Sequence, residues 1–542
     1  MKKFIRLFSL ITALLVLATA FSGCGKKEVS LTGDSYSYWV VLDENFAQTM
    51  ESASEHAFYQ AVTKATGIDV EFIHPARGIT NVEAFQVLLA STEMPDMIEF
   101  PWGGTGYAGG PDQAIKDGVI IALNDYLEEY APNYYNYMEG DIAEEKDYIY
   151  RKSALSDEGN YYGFRCINIG SYGCFDGLYV RKDLLDKWEI DIPETIDDWE
   201  NVFATAKENG VKYPLTGKTN ILNIMGSKDL FNTAWGVGQK FYLEGDKVKF
   251  GPFEKDYKEY VEKMAEWMKK GYIDPDYITN DDNAVDSYLV NGDSIASVGF
   301  IGSALGKLLP ALKERHPEYV IAACPMPVMK KGDVPKFQTL VAPTSDRTIA
   351  ITTQCGEENE QRYKEAIMWC DYMYTDEAMI LKLFGVENDT YTIKEDEEGN
   401  KHYVYTDKVV KTYSDIGASN ITGGLYHYTI PSTHPSFCEH DDYYQGYYTY
   451  DEQKNALNVW NEHIDEAQKY MLPALSYTGE EAAEIANITS KANADFTATI
   501  SNIILGKEKI DKSDDAVKKM KDAGYDKYLE IQQAAYNRYI AK

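Results

Sequence analysis

Apolar positions in the first hundred residues alternate between short runs and helically spaced stretches. Tyr36–Leu42 and Ile68–Ile73 read as strands, and Glu51–Thr66 as a helix ended by Gly67. Asn81–Ser91 is amphipathic, with Val82, Phe85, Leu88 and Leu89 on one side. Pro95-Asp96 then marks a turn into the buried strand Met97–Phe100. A glycine-rich turn carrying Trp102 and Tyr107 follows, and a helix begins near Pro111, which has no N–H to leave unpaired at a helix start. Strand–helix–strand–helix–strand predicts an α/β lobe. The loop after Phe100 stands where open α/β sheets place ligands.

Further along, Leu178–Arg181 reads as a strand and Lys182–Trp188 as a helix. Thr195 is a fair N-cap for the next helix, with Asp197 and Asp198 in its first turn complementing the dipole. Trp188 and Trp199 sit at helical spacing and belong to a core. LEGDKVKFG predicts a hairpin with Gly245-Asp246 at its tip. Tyr257–Lys270 is a helix stopped by Gly271, Val320–Pro327 a strand leading back toward the first lobe, and Gly479–Leu505 a long helix. No internal repeat or low-complexity linker interrupts the chain.

Residues 1–23 change the picture. MKKFIR is cationic, and Leu7–Ala20 is apolar but too short, with these flanks, for a spanning helix. This is a signal peptide, and Phe21-Ser22-Gly23-Cys24 resembles a bacterial lipobox with Cys24 as the residue to be lipidated. Phe21 stands where Leu is usual. Residues 24–35 form a polar tether, and two acyl chains anchor stably.

The 542 residues suffice for two lobes with adequate cores. A formal net charge of −33 repels phosphate backbones and argues against nucleic acid as a partner. Aromatics reach 13% of the chain, 43 of them Tyr, which suits either packing or sugar recognition, since the C–H faces of sugars stack on rings. Export permits disulfides, yet Cys166, Cys174, Cys324, Cys355, Cys370 and Cys438 are irregularly spaced and read mostly as small buried hydrophobes.

Several motifs fail on context. Gly104–Gly109 satisfies G-x-G-x-x-G, but Pro111 starts the helix after the motif instead of within it, so the loop reads as a ligand contact or a surface turn and not as a nucleotide site. His427, His434, Cys438, His440 and Asp441 are the densest group of metal-ligand types, with spacings that match no zinc pattern, so no metal is expected. G-x-S-x-G, H-E-x-x-H and P-loop sequences are absent. No enzyme activity and no cofactor are expected.

Several stretches carry a family resemblance. MPDMIEF with Lys116–Tyr126, the run Asp125–Met138, and NYYGFRCINI at Asn160–Ile169 are similar to segments of the extracellular solute-binding proteins (family 1) of carbohydrate ABC transporters. Leu178–Gly210 resembles their "RkDwLdklgl--P-T-dE" pattern, and YLVNGDSIASVGF, Tyr288–Phe300, a segment that returns to the cleft. The tail from Gly506 to Tyr539 resembles the ending of the LipO-like lipoprotein branch. In a related loop Asn388 replaces a usual glycine, and KENGVKYP, Lys207–Pro214, lacks the oxygen ligands with which some members hold calcium.

The resemblance implies a two-lobed α/β, periplasmic-binding-protein-like fold of type II with a hinge. Lobe 1 is expected from 36–165 and 325–385, lobe 2 from 166–324 and 386–542. It further implies an oligosaccharide ligand held between the lobes, delivery to ABC permease subunits, and a monomer at the extracellular face of the cell membrane, attached through its lipid only. Trp102, Tyr107, Tyr172, Phe175, Trp235 and Trp460 are the expected stacking residues, with Arg165 as a polar anchor. A peptide ligand on the same scaffold and an extracellular glycan hydrolase are the alternative readings.

Overall fold

The structure, a computed structural model, describes residues 31–76, 78–103, 106–140, 149–168, 173–342, 344–418, 421–431, 434–440, 442–448 and 450–542. Cys24 and Tyr172 lie outside the described residues.

The chain begins with strands β1 (Ser35–Trp39), β2 (Asp69–Ile73) and β3 (Met97–Pro101), separated by helices Ala57–Thr66 and Asn81–Leu89. β4 (Phe164–Asn168), β5 (Gly173–Cys174) and β6 (Asp176–Arg181) follow in quick succession. A hairpin of β7 (Phe241–Glu244) and β8 (Lys247–Phe250) comes next, then β9 (Ala296–Phe300) and β10 (Ile321–Ala323). β11 (Leu340–Val341), β12 (Arg347–Ile351), the hairpin β13 (Tyr391–Glu395) and β14 (Lys401–Tyr405), and β15 (Ser436–Cys438) complete the set.

Strand pairing divides these into two lobes. The first lobe is built on a six-stranded sheet, β15-β4-β12-β3-β1-β2, and the second on a three-stranded sheet, β10-β6-β9. β1 is parallel to β2 and β3, whereas β12 runs antiparallel to both β3 and β4. The expected α/β fold with two lobes is what the chain adopts.

Local chemistry explains why the predicted elements form where they do. Helix Ile196–Glu208 starts at a capping box in which the Thr195 hydroxyl accepts from the Asp198 N–H and Asp198 reaches back to Thr195 N–H. Thr478 and Glu481 do the same for helix Gly479–Ile504. Helix Ala57–Thr66 begins later than its apolar pattern suggests, because a separate turn capped by Ser52 precedes it and His56 caps the helix itself. Aromatic rings fill both cores: Trp369 lies against Tyr38 and Tyr59 in the first lobe, and Phe203 and Phe231 meet Trp267 edge-on in the second. Much of the tyrosine content is therefore core packing.

Ile321–Ala323 pairs with β6, within the span 166–324 expected for the second lobe. The expected bounds of the first lobe need correction. β4 remains in the first sheet to Asn168, and β15 returns to it by pairing with β4. The first lobe thus reclaims the chain well beyond residue 385, because a buried edge of β4 needs a partner for its backbone groups.

Candidate ligand-binding cleft

β4 leaves the first sheet at Asn168 and β6 enters the second at Asp176; β10 leaves the second and β12 re-enters the first. The two crossings pair with each other as an antiparallel ribbon, Leu340 opposite Cys174 and Val341 opposite Gly173. A third crossing precedes helix Asp451–Trp460, which packs on β6 and β10. Asn461 at its end clasps the ribbon, its Oδ1 accepting from Cys174 N–H at 2.7 Å and its Nδ2 donating to Cys174 O at 2.9 Å. This is the hinge.

The second sheet presents its hinge-side edge at the start of β6 and the end of β9, where Asp176 faces Phe300. Ile301 N–H donates to Phe175 O at 2.9 Å, fixing that edge to the ribbon. Phe300 is 44% exposed, high for a large aromatic at a strand end. The Lys228 ammonium lies 4.3 Å from the Phe300 ring centroid and also contacts Asp176 Oδ2. Burial brings the Lys228 ammonium down to about 8. Asp176 itself is 1% exposed, and its Oδ1 has no hydrogen-bond partner among the described residues. The loop that delivers Lys228 holds Asn223 at φ 44° and Met225 at φ 59°, a left-handed backbone uncommon for residues other than glycine.

In the first lobe, Glu99 on β3 is buried against Arg347 on β12 and against His434. Arg347 Nη1 donates to His434 Nε2 at 2.6 Å, so the imidazole proton sits on Nδ1, 3.1 Å from Glu99 Oε1. Burial opposes ionisation of Glu99, yet His434, Arg347 and the Tyr38 hydroxyl bring its carboxyl down to about 2. Burial and Arg347 lower His434 against the pull of Glu99, which keeps it neutral. This network joins β3, β12 and the segment that leads into β15.

Three residues expected to touch ligand do something else. Trp102 is fully buried among Trp39, Phe85, Phe100 and Ala114, and its indole N–H points to Ile98 O at 3.4 Å. Trp460 is equally buried, donating to Leu178 O at 3.2 Å and Cys324 O at 3.1 Å. Arg165 is 5% exposed and gives its terminal nitrogens to Ser153 O, Tyr162 Oη and Ser345 O. Trp102 just after a strand and Trp460 at the end of a helix both meet core neighbours, and Arg165 serves two carbonyls and a tyrosine hydroxyl within the first lobe.

Tyr107, Phe175 and Trp235 are half-buried. Tyr107 stacks over Trp102 and donates to Asp117 Oδ2 at 2.9 Å. Phe175 covers Gly173 in the hinge ribbon, and Trp235 lies 5.7 Å from the Tyr260 ring. Gly109 and Gly110, at φ 88° and 73°, let their backbone approach Gly479 and Tyr477 O, so that part of the glycine loop meets the C-terminal helices. Among the described residues no three His, Cys, Asp or Glu side chains are grouped to hold a metal ion. Phe300, Lys228 and Asp176 were missed, although Phe300 ends the segment expected to return to the cleft.

Comparison with known proteins agrees with this architecture. The model of the bacterial extracellular solute-binding proteins matches residues 45–380. Lipoprotein LipO of Bacillus subtilis is 21% identical over 425 residues, 74% of this chain and 78% of LipO. The fructooligosaccharide ABC transporter substrate-binding protein FusA of Streptococcus pneumoniae is 25% identical over 322 residues, 54% of this chain and 56% of FusA. The crystal structure of alginate-binding protein AlgQ2 superposes with a TM-score of 0.68 at 18% identity, covering 94% of this chain and 99% of the other. FusA in complex with kestose gives 0.68 at 20% identity, covering 94% and 100%. An extracellular solute-binding protein of Bifidobacterium longum subsp. infantis gives 0.69 at 15% identity, covering 95% and 100%. With a family match over more than half its length and two lobes joined at a paired hinge, this chain belongs to the bacterial extracellular solute-binding proteins.

Proposed function

We propose that the protein captures an oligosaccharide between its lobes at the outer face of the cell membrane and hands it to the permease subunits of an ABC transporter. It acts as a monomer, tethered by a lipid on Cys24, and binds its ligand without chemical change. The carrying observation is Phe300, an open aromatic face at the hinge-side edge of the second sheet, flanked by Lys228 and Asp176. A sugar ring offers an apolar C–H face for such a ring and hydroxyls for the ammonium and carboxylate. Phe175 beside it, with Tyr107 and Trp235, completes the proposed contact set. Relatives named for fructooligosaccharide and alginate binding support the ligand class. A ligand touching both lobes shifts the population to the closed form, since only that form makes both sets of contacts.

Calorimetric titration with a panel of oligosaccharides, kestose among them, tests the reading. Phe300→Ala is expected to weaken binding by about 1–3 kcal/mol without moving the denaturant midpoint. A panel in which oligopeptides raise the melting temperature and no glycan does would overturn the sugar assignment, since a ligand at a hundred times its Kd stabilises by about 2.7 kcal/mol.

A further inference from the structure

Asp176 and Phe300 stand opposite each other where β6 and β9 pair, so their side chains rise side by side on one face of the second sheet. Lys228 Nζ donates to Asp176 Oδ2 and lies 4.3 Å from the Phe300 ring centroid, touching both. The loop behind it is tied down, since Asn223 Nδ2 donates to Lys228 O at 2.9 Å. Phe300 leads into a π-helical turn, Ile301–Leu305, a form that recurs at functional sites. Gln453 Nε2 holds that turn by donating to Ile301 O at 2.8 Å. Ring, ammonium and carboxylate are therefore a preset group.

The charges of that group cancel. Asp176 is 1% exposed and has the Lys228 ammonium as its counter-ion, so neither charge waits for an ionic ligand. Asp176 Oδ1 has no hydrogen-bond partner among the described residues, and an ionised carboxylate can only accept. A ligand hydroxyl can donate to it. A ligand carboxylate or sulfate also only accepts, and would face it as a like charge where little water screens the pair. Nearby cations are already engaged. Lys307 and Lys313, on the helix Gly306–Arg315 that follows the π turn, pair with Asp286 at 2.8 Å and Glu452 at 2.7 Å. In the first lobe Arg165 serves carbonyls and a tyrosine hydroxyl, and Arg347 is turned to Glu99 and His434. An acidic ligand would have to take one of these cations from the partner it has. The net charge of −33 adds a field that repels anions on approach.

We propose that the Asp176–Lys228 pair determines specificity and restricts the site to uncharged oligosaccharides, rejecting uronates and sulfated glycans. The inference rests on the oligosaccharide reading above and narrows it to one chemical class. The sugar takes the Phe300 face with its C–H side. Lys228 yields that face, keeps its hold on Oδ2 and donates a second N–H to a ligand hydroxyl oxygen. That movement opens Asp176 Oδ1 to a ligand O–H. Discrimination comes from repulsion of the wrong ligand as much as from attraction of the right one.

The test is calorimetric titration of the folded chain with matched pairs. Each neutral oligosaccharide of the panel, kestose among them, is run beside the same oligosaccharide with its primary hydroxyls oxidised to carboxylates. Where the neutral member binds, the acidic one is expected to bind at least about tenfold more weakly. Neutral affinity should be indifferent to added salt, since no ion pair with the ligand forms. Asp176→Asn leaves the ammonium without its counter-charge and should narrow or reverse the preference, with acidic affinity now falling as salt rises. Should that variant not fold, the wild-type pairs and their salt dependence carry the test alone. An acidic member that binds as tightly as its neutral partner, or binds alone, overturns this inference and leaves the oligosaccharide reading standing. If no glycan binds in either form, both fall together.

Discussion

The Trp460 indole lies directly over Gly177: a β-carbon at position 177 would stand 2.5 Å from Cε2 of that ring and 2.7 Å from its Nε1. Neither partner can step aside, since the indole N–H is held by two backbone carbonyls and Gly177 is paired with Gly299 in the sheet. Gly177→Ala is therefore expected to lower stability by about 1–3 kcal/mol, as overpacking does. Denaturant unfolding followed by tryptophan fluorescence measures it.

Trp102→Ala should behave as a core truncation. With Phe85 edge-on at 5.3 Å and Tyr107 stacked at 6.1 Å, the indole fills the space between the first sheet and its helices. A loss of about 3–5 kcal/mol is expected, with ligand affinity of the surviving folded fraction little changed. Unfolding curves beside calorimetric titration of the same variant separate the two quantities.

That reversal shows what could be read from the chain and what could not. Elements announced by capping and period were legible: Thr195 caps the helix expected of it, the long helix starts at Gly479 as expected, and the hairpin turns at Gly245-Asp246. The glycine-rich loop was placed correctly after β3, yet whether Trp102 turns toward ligand or core depends on Phe85, Phe100 and Ala114, and local pattern does not say which neighbours a ring meets. Phe300 was invisible for the opposite reason: its neighbour Lys228 is far away in sequence and arrives on a loop with a strained backbone. Likewise, the partnership of β15 with β4 has no local sign.

Acid should destabilise the protein from about pH 6.5 downward. Burial, with His427 nearby, holds His56 down to about 3, and burial also lowers His434. In the unfolded chain both take up protons near 6.5, so below that value the unfolded state binds more protons and stability falls with pH. Each histidine contributes a slope of about 1.4 kcal/mol per pH unit between its unfolded and folded values. His56→Asn keeps an acceptor for the Phe58 N–H, which His56 Nδ1 now holds at 3.0 Å, and should flatten the slope by about one proton. Denaturant midpoints across this range check it.

The C-terminal helix Tyr525–Ala541 packs on β8 of the second lobe and also reaches the first. Arg538 holds Asp157 through Nε at 2.7 Å and Glu481 through both terminal nitrogens, at 3.0 and 2.6 Å. Arg538→Ala takes from Glu481 its paired cation and leaves Asp157 with the Lys542 ammonium, 3.1 Å from its Oδ1, as its ion-pair partner. A loss of about 1–2 kcal/mol is expected, discounted for partial exposure, and added salt should destabilise the wild type more than the variant. Unfolding at low and high ionic strength reads both effects.

Lys542 donates to the carbonyl of Leu155, 387 positions earlier, and the first sheet closes only when Ser436–Cys438 docks beside β4. The order in which this chain emerges is consequently not the order in which it folds. Strands made early wait, with the edge of β4 unpaired, for partners made late. Loops of this length must close before their contacts reward the closure, which places the chain among slow folders. A chain truncated before residue 436 would lack not an appendage but the last strand of its first sheet.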